Sequence, residues 1–155
     1  MRKHLSKIFF SLAVALTLTS LPHTASAQRS PRARGYTKAE VDAVIHRVED
    51  RSDAFVRLFD KALDRSRLNG SRREDELNRQ AKNLEKALDG LRREFDRKEN
   101  YVDTRPEVRR ALDAASDINR TMRRRRMGGE TERQWALLRE ELNTLADVYE
   151  LPGLR

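Results

Sequence analysis

The fold is decided by residues 71–99, SRREDELNRQAKNLEKALDGLRREFDRKE, the most regular stretch of the sequence. Its apolar residues recur in alternating steps of four and three, the spacing that places side chains on one face of an α-helix. Ser71 and Glu74 begin the stretch as a capping box, which satisfies free amides of the first helical turn. The stretch therefore predicts an amphipathic helix with one buried face: Leu77, Ala81, Leu84, Leu88, Leu91 and Phe95.

The same Ser/Thr-x-x-Glu/Gln signature precedes three further apolar stretches, at residues 37–40, 104–107 and 131–134. Glycine or proline follows most of these stretches, as is typical of helix ends. Heptad-like spacing with short connections predicts an all-α protein, an antiparallel up-down-up-down four-helix bundle. The four helices are expected at about residues 38–68, 72–99, 105–126 and 132–150.

The first two predicted helices are longer than the last two. At 1.5 Å per residue they should span about 40–45 Å, against about 27–32 Å for the second pair. The first hairpin should then overhang the shorter helices near Gly70 and leave Leu63, Leu68 and Leu77 incompletely covered. Exposed apolar patches often mark interaction sites, so this ledge is a predicted docking surface for a protein partner.

The N-terminal residues have the three parts of a secretory signal peptide. A basic start is followed by the apolar run Ile8–Leu21 and by the small-x-small sequence Ala25-Ser26-Ala27. We therefore expect a signal peptide at residues 1–27, a flexible basic leader at residues 28–35 and a single helical domain at residues 36–155. The mature protein should be periplasmic or secreted.

The composition excludes several kinds of site. The chain has no cysteine, so it can form neither disulfides nor the Cys-x-x-Cys-His attachment of c-type haem. His46 is the only histidine after the predicted cleavage, and the Glu-x-x-His pairs of di-iron bundles do not occur. We expect no cofactor and no metal, and we predict that the protein is not an enzyme.

The most conspicuous local feature is the run of four arginines at residues 123–126. In the predicted topology this run shares one end of the bundle with arginines of the first hairpin: Arg65, Arg67, Arg72 and Arg73. Guanidinium groups match phosphate and carboxylate oxygens, so Arg123, Arg124, Arg125 and Arg126 form a candidate anion site with them. The alternative is that these cations only complement the negative end of a helix dipole. Nucleic acid is a disfavoured ligand, because no aromatic residues alternate with the arginines.

The C-terminal run WALLREELN at residues 135–143, with Tyr149 and Leu151-Pro152-Gly153, resembles the ending of a group of small exported bacterial proteins. The group is uncharacterised. The resemblance implies a helical fold and an extracytoplasmic location, and it implies no activity.

Two functions are therefore expected. The first is a non-enzymatic exported envelope protein, of an interaction or chaperone-like type, that offers the ledge with Leu63 and Leu68 to a partner protein. The alternative is a binder of anionic envelope components, either lipid head groups or acidic polymers, through the arginine-rich end of the bundle.

Overall fold

The computed structural model describes residues 35–155. Their elements are the helices α1 (Lys38–Asp64), α2 (Arg72–Arg97), α3 (Arg105–Arg124) and α4 (Gly129–Val148), with a 3₁₀ turn at Tyr101–Thr104. These residues contain no strand, and none of their helices is long and apolar enough to span a membrane. The predicted signal peptide and all but the last residue of the predicted leader lie outside the described residues.

The helices pack as an antiparallel bundle. α1 packs mainly on α4, and α2 packs mainly on α3. Thr131, at the start of α4, donates a hydrogen bond to the Leu58 carbonyl late in α1. Arg47, early in α1, forms an ion pair with Glu141, late in α4. The two contacts run in opposite directions along the two helices. The predicted all-α four-helix bundle is confirmed.

The core follows the predicted apolar faces. All six apolar residues of the α2 stripe are buried, and aromatic and aliphatic side chains of the other helices complete one continuous core. Ring contacts join Phe55 to Phe59 and to Trp135, with centroids 5.2 Å and 5.1 Å apart. Such pairs add about 0.5–1.5 kcal/mol each beyond the area that they bury.

The first two predicted caps are present. Thr37 forms a complete capping box with Glu40 at the start of α1. Ser71 accepts from the Glu74 amide at the start of α2, but the Glu74 carboxylate accepts from the Gly70 amide, 2.6 Å away. The second box therefore keeps its hydroxyl cap, while its carboxylate stabilises the preceding turn.

The other two caps were predicted wrongly. Thr104 precedes α3, but its hydroxyl bonds the Tyr101 carbonyl and the Tyr149 hydroxyl and does not cap the helix. α4 begins at Gly129 and not at residue 132, so Thr131 lies inside the helix, where its hydroxyl bonds α1. In both cases a tertiary hydrogen bond takes the hydroxyl that the local pattern assigned to a cap.

α1 and α3 end earlier than predicted. α1 ends at Asp64, since the Ser66 hydroxyl bonds the Leu63 carbonyl and the Leu68 amide and so starts the turn. α3 ends at Arg124, and Arg125 has an extended backbone with φ −133° and ψ 142°. Small shifts also occur at α2, which ends at Arg97, and at α4, which ends at Val148.

The predicted apolar ledge does not exist. The helix lengths differ as expected, with 27 and 26 residues in α1 and α2 and 20 in each of α3 and α4. Leu63 and Leu77 are nevertheless 0 % exposed, and Leu68 is half-buried against the core. Met127, in the connection between α3 and α4, also belongs to the core.

Candidate anion-binding site

The connections 65–71 and 125–128 lie at one end of the bundle, which we call the arginine pole. Arg123 and Arg124 form the last turn of α3, while Arg125 and Arg126 follow it in non-helical conformation. All four side chains are exposed, Arg126 by 97 %. Because successive residues of an extended segment point to opposite sides, the run leaves α3 with its guanidinium groups spread in several directions.

The first of two clefts at this pole, the α3–α4 cleft, lies between the end of α3 and the start of α4. It has a volume of about 390 Å³. Its floor includes Trp135, which is 4 % exposed and donates from Nε1 to the Asn119 side-chain oxygen at 3.3 Å. The residues that line it are Asn119, Met122, Arg123, Arg124, Arg125, Arg126, Glu132, Trp135, Ala136 and Arg139.

The segment after α4 ends beside two residues that line this cleft, Asn119 and Arg123. The chain reverses at Glu150 (φ 52°), and the Asn143 side chain then holds both backbone groups of Leu154. The Asn119 side-chain amide donates to the Arg155 carbonyl at 2.6 Å. The segment thus crosses from α4 to α3 and ends beside the arginines, because Arg123 also donates to the Arg155 carbonyl at 3.4 Å.

The second cleft, the α2–α3 cleft, lies on the other side of the end of α3. It has a volume of about 490 Å³. Thr121 donates from its hydroxyl to the Gln80 side chain at 3.2 Å across the base of this cleft, which ties α3 to α2. Its lining residues are Arg73, Gln80, Asp117, Arg120, Thr121, Arg124 and Arg125. Arg124 and Arg125 therefore line both clefts.

The clefts have a large excess of positive charge. Seven arginines and two acidic residues line them. Both acids are already engaged: Asp117 pairs with Arg120, and Glu132 accepts from the Met127 amide and lies 3.9 Å from Arg126. Within residues 35–155 five lining arginines have no ion pair with an acidic side chain: Arg73, Arg123, Arg124, Arg125 and Arg139.

The structure brings only part of the predicted site together. Of the first-hairpin arginines, Arg73 meets the 123–126 run, while Arg65, Arg67 and Arg72 are exposed outside these two clefts. Leu63 is buried and offers no surface, which corrects its assignment as a contact residue; Leu68 is half-buried. Arg120 and Arg139 line the clefts but were not predicted as site residues from the sequence. Their positions on the solvent-facing sides of α3 and α4 gave no local signal in the sequence.

A third cleft, of about 500 Å³, lies between α1 and α2 and has mixed charge. Lys82 and Lys86 line it together with four carboxylates, among them Glu85. Burial, followed by the charges of Asp53 and Asp89, raises the pKa of Glu85. These carboxylates repel one another, and this cleft lacks the excess of positive charge of the two clefts at the arginine pole.

Histidine and acidic side chains give no metal site among residues 35–155. His46 lies on the surface within 4 Å of Asp42 and Glu49, and both carboxylates are bonded to Arg92. No group of three or more histidine or acidic side chains in these residues could hold a metal ion.

No protein family, curated protein or solved structure gives a significant match to this chain. The resemblance of residues 135–153 to small exported helical proteins stays a prediction.

Proposed function

We propose that this protein is an exported, non-enzymatic binding protein of the bacterial envelope that binds phosphate-bearing anionic components at the arginine pole. Export is supported by the signal-like pattern of residues 1–27. Anion binding is supported by one observation above all: the unpaired Arg124 and Arg125 line two adjoining clefts that have few acidic residues.

The helix dipole does not account for this arrangement. Cations in the last turn of a helix stabilise it, which explains Arg123 and Arg124. Arg125 and Arg126 lie beyond the helical turn, and Arg139 lies in the middle of α4. Arg73 lies in the first turn of α2, where the dipole disfavours a cation by about 0.3–1 kcal/mol. An anionic ligand would offset that cost.

The backbone at this pole adds to the attraction. α2 and α4 both begin here, and the free amides of a helix N-terminus favour anions. The acidic residues nearby are mostly engaged: Glu74 accepts from the Gly70 amide, Glu76 pairs with Arg79, and Glu130 pairs with Arg133. An incoming anion therefore meets arginines before it meets free carboxylates.

The structure does not support the predicted docking of a partner protein on an apolar ledge, because Leu63 and Leu77 are buried. The large apolar side chains that remain exposed in residues 35–155 are Tyr36, Val102 and Leu137, on different elements. The proposal keeps the expected non-enzymatic binding role and assigns it to the arginines.

Titration calorimetry with inorganic tripolyphosphate tests this function. We expect binding at about 0.1 M salt that weakens steeply toward 1 M, as the screening length falls from about 10 Å to about 3 Å. Replacing two arginines that line both clefts, Arg124→Ser with Arg125→Ser, should weaken binding about tenfold or more, which corresponds to about 1.4 kcal/mol.

The matched control is Arg93→Ser with Arg109→Ser, which removes the same charge from exposed arginines of α2 and α3 outside both clefts. This control should keep its affinity within about threefold, since net charge acts only weakly at a distance. Equal loss in both double variants would mean that net charge alone attracts the anion, and the proposed site would be wrong.

A further inference from the structure

The two clefts at the arginine pole are adjoining parts of one surface. The α2–α3 cleft has Arg73 at its far side, and the α3–α4 cleft has Arg139 at its far side. Arg124 and Arg125 lie between them and line both. A ligand that passes from one cleft to the other therefore meets arginines in each cleft and at the boundary between them.

The width of this path exceeds one phosphate group. Neighbouring helix axes in a bundle are about 8–10 Å apart, so α2 and α4, at opposite corners with α3 between them, are about 11–14 Å apart. Arg73 lines only the α2–α3 cleft and Arg139 only the α3–α4 cleft, so a single anion in either cleft meets one of the two outer arginines. A chain of anionic groups can meet both, with one group in each cleft and others beside the shared pair.

The directions of the arginines favour phosphate over carboxylate. In each cleft guanidinium groups approach from two different helices, from α2 and α3 on one side and from α3 and α4 on the other. A tetrahedral phosphate directs oxygens into more than one plane and can accept from both, whereas the two oxygens of a carboxylate are coplanar.

We infer that the ligand is a linear phosphate polymer that occupies both clefts at once and crosses the end of α3 at Arg124 and Arg125. This inference rests on the proposed anion-binding function and adds the form of the ligand. Once one part of the chain is bound in one cleft, binding of the next part in the other cleft is intramolecular. This raises the affinity for the whole chain without any new kind of contact.

A chain-length series tests the inference. Monophosphate, pyrophosphate, tripolyphosphate and long-chain polyphosphate are titrated into the protein, with concentrations expressed per phosphate group. We expect affinity per phosphate to rise at least about tenfold between monophosphate and the chains that reach both clefts, and then to level off. Constant affinity per phosphate would overturn the inference and leave the proposed function standing. Absence of binding at every length would overturn both.

Two single variants examine each cleft separately. Arg73→Ser removes the outer cation of the α2–α3 cleft, and Arg139→Ser that of the α3–α4 cleft. Each should abolish most of the gain from chain length, because a chain bound in the intact cleft then lacks the outer cation of the other cleft. Arg93→Ser is the matched control and should keep the full gain. If only one of the two cleft variants matters, the ligand occupies a single cleft.

Two further probes distinguish the source of the anion. Vesicles of phosphatidylglycerol present single phosphates, and poly-glutamate presents carboxylates in series. Long-chain polyphosphate should bind more tightly than both at equal charge, and this order should vanish in the Arg73→Ser variant. Tighter binding of poly-glutamate, or of the vesicles, would contradict the assignment of a phosphate polymer.

Discussion

The two ends of the bundle use their basic residues in opposite ways. At the end opposite the arginine pole, which we call the tyrosine pole, Lys38 donates to the Lys98 carbonyl at 2.6 Å and Arg105 to the Glu150 carbonyl at 3.1 Å. These cations satisfy carbonyls that follow α2 and α4. At the arginine pole Arg124 and Arg125 contact no carboxylate within the described residues.

The two ends of the bundle also differ in how their side chains pack. Tyr101 and Tyr149 meet edge to face with ring centroids 5.7 Å apart, and the Tyr149 hydroxyl bonds Thr104 at 2.8 Å. The tyrosine pole is thus closed by side chains of two segments, the 3₁₀ turn and the end of α4. The arginine pole is closed only beneath its surface, by Leu63 and Met127, and its outer layer is charged. Buried aromatic side chains pack one pole, whereas the outer layer of the other pole consists of exposed arginines.

The largest effect is expected from Tyr149→Ala at the tyrosine pole. Loss of a buried aromatic side chain costs about 3–5 kcal/mol, a large part of the stability of a small domain. Tyr149→Phe is the matched control and should cost about 1 kcal/mol, the worth of its hydrogen bond to Thr104. Urea unfolding measures both. An unchanged midpoint for Tyr149→Ala would show that this pole does not stabilise the bundle.

A second prediction compares how much the buried layer and the exposed layer of the arginine pole contribute to stability. Leu63→Ala should destabilise the protein by about 2–5 kcal/mol, because the leucine is fully buried. Arg125→Ala, in the exposed layer of the same pole, should change stability by less than about 0.5 kcal/mol. Both are measured by urea unfolding. Similar small effects from the two variants would indicate that Leu63 is exposed, as the ledge predicted from the sequence requires.

The smallest predicted effect is a loss of folding stability at alkaline pH. Burial raises the pKa of Tyr149, and the bond to Thr104 offsets part of the rise. The folded state therefore holds this proton more tightly than the unfolded state. Its contribution to stability is complete below the unfolded pKa of about 10 and is lost as pH rises through the folded value. Arginines of the other pole stay charged throughout this range.

The stability difference between the parent protein and Tyr149→Phe isolates this titration, because lysines contribute equally to both proteins. We expect the parent to lose more stability than the variant between pH 9 and pH 11, about one unit on either side of the unfolded pKa of about 10. Parallel unfolding midpoints across that range would mean that Tyr149 titrates as it does in water.

Helix number, helix type and buried faces follow directly from the sequence, as the fully buried stripe of α2 illustrates. Those features depend on local spacing. The cap assignments at Thr104 and Thr131 failed because hydroxyls of both residues bond distant parts of the chain. A tetrapeptide pattern contains no information about such partners.

The candidate site was predictable only in part for the same reason. The run at residues 123–126 is visible in the sequence, and so is its proximity to Arg73 once the topology is known. The roles of Arg120 and Arg139 depend on which helix faces border a cleft. Met127 belongs to the core although it lies in a connection that has no periodic pattern.

Amide chemical-shift mapping by NMR during titration with tripolyphosphate tests the central claim most directly, since it reports on both poles in one experiment. The account predicts the largest changes at Arg73, Arg124, Arg125 and Arg139, with little change at Lys38 and Arg105. Changes spread evenly over exposed arginines, or concentrated at the tyrosine pole, would contradict it.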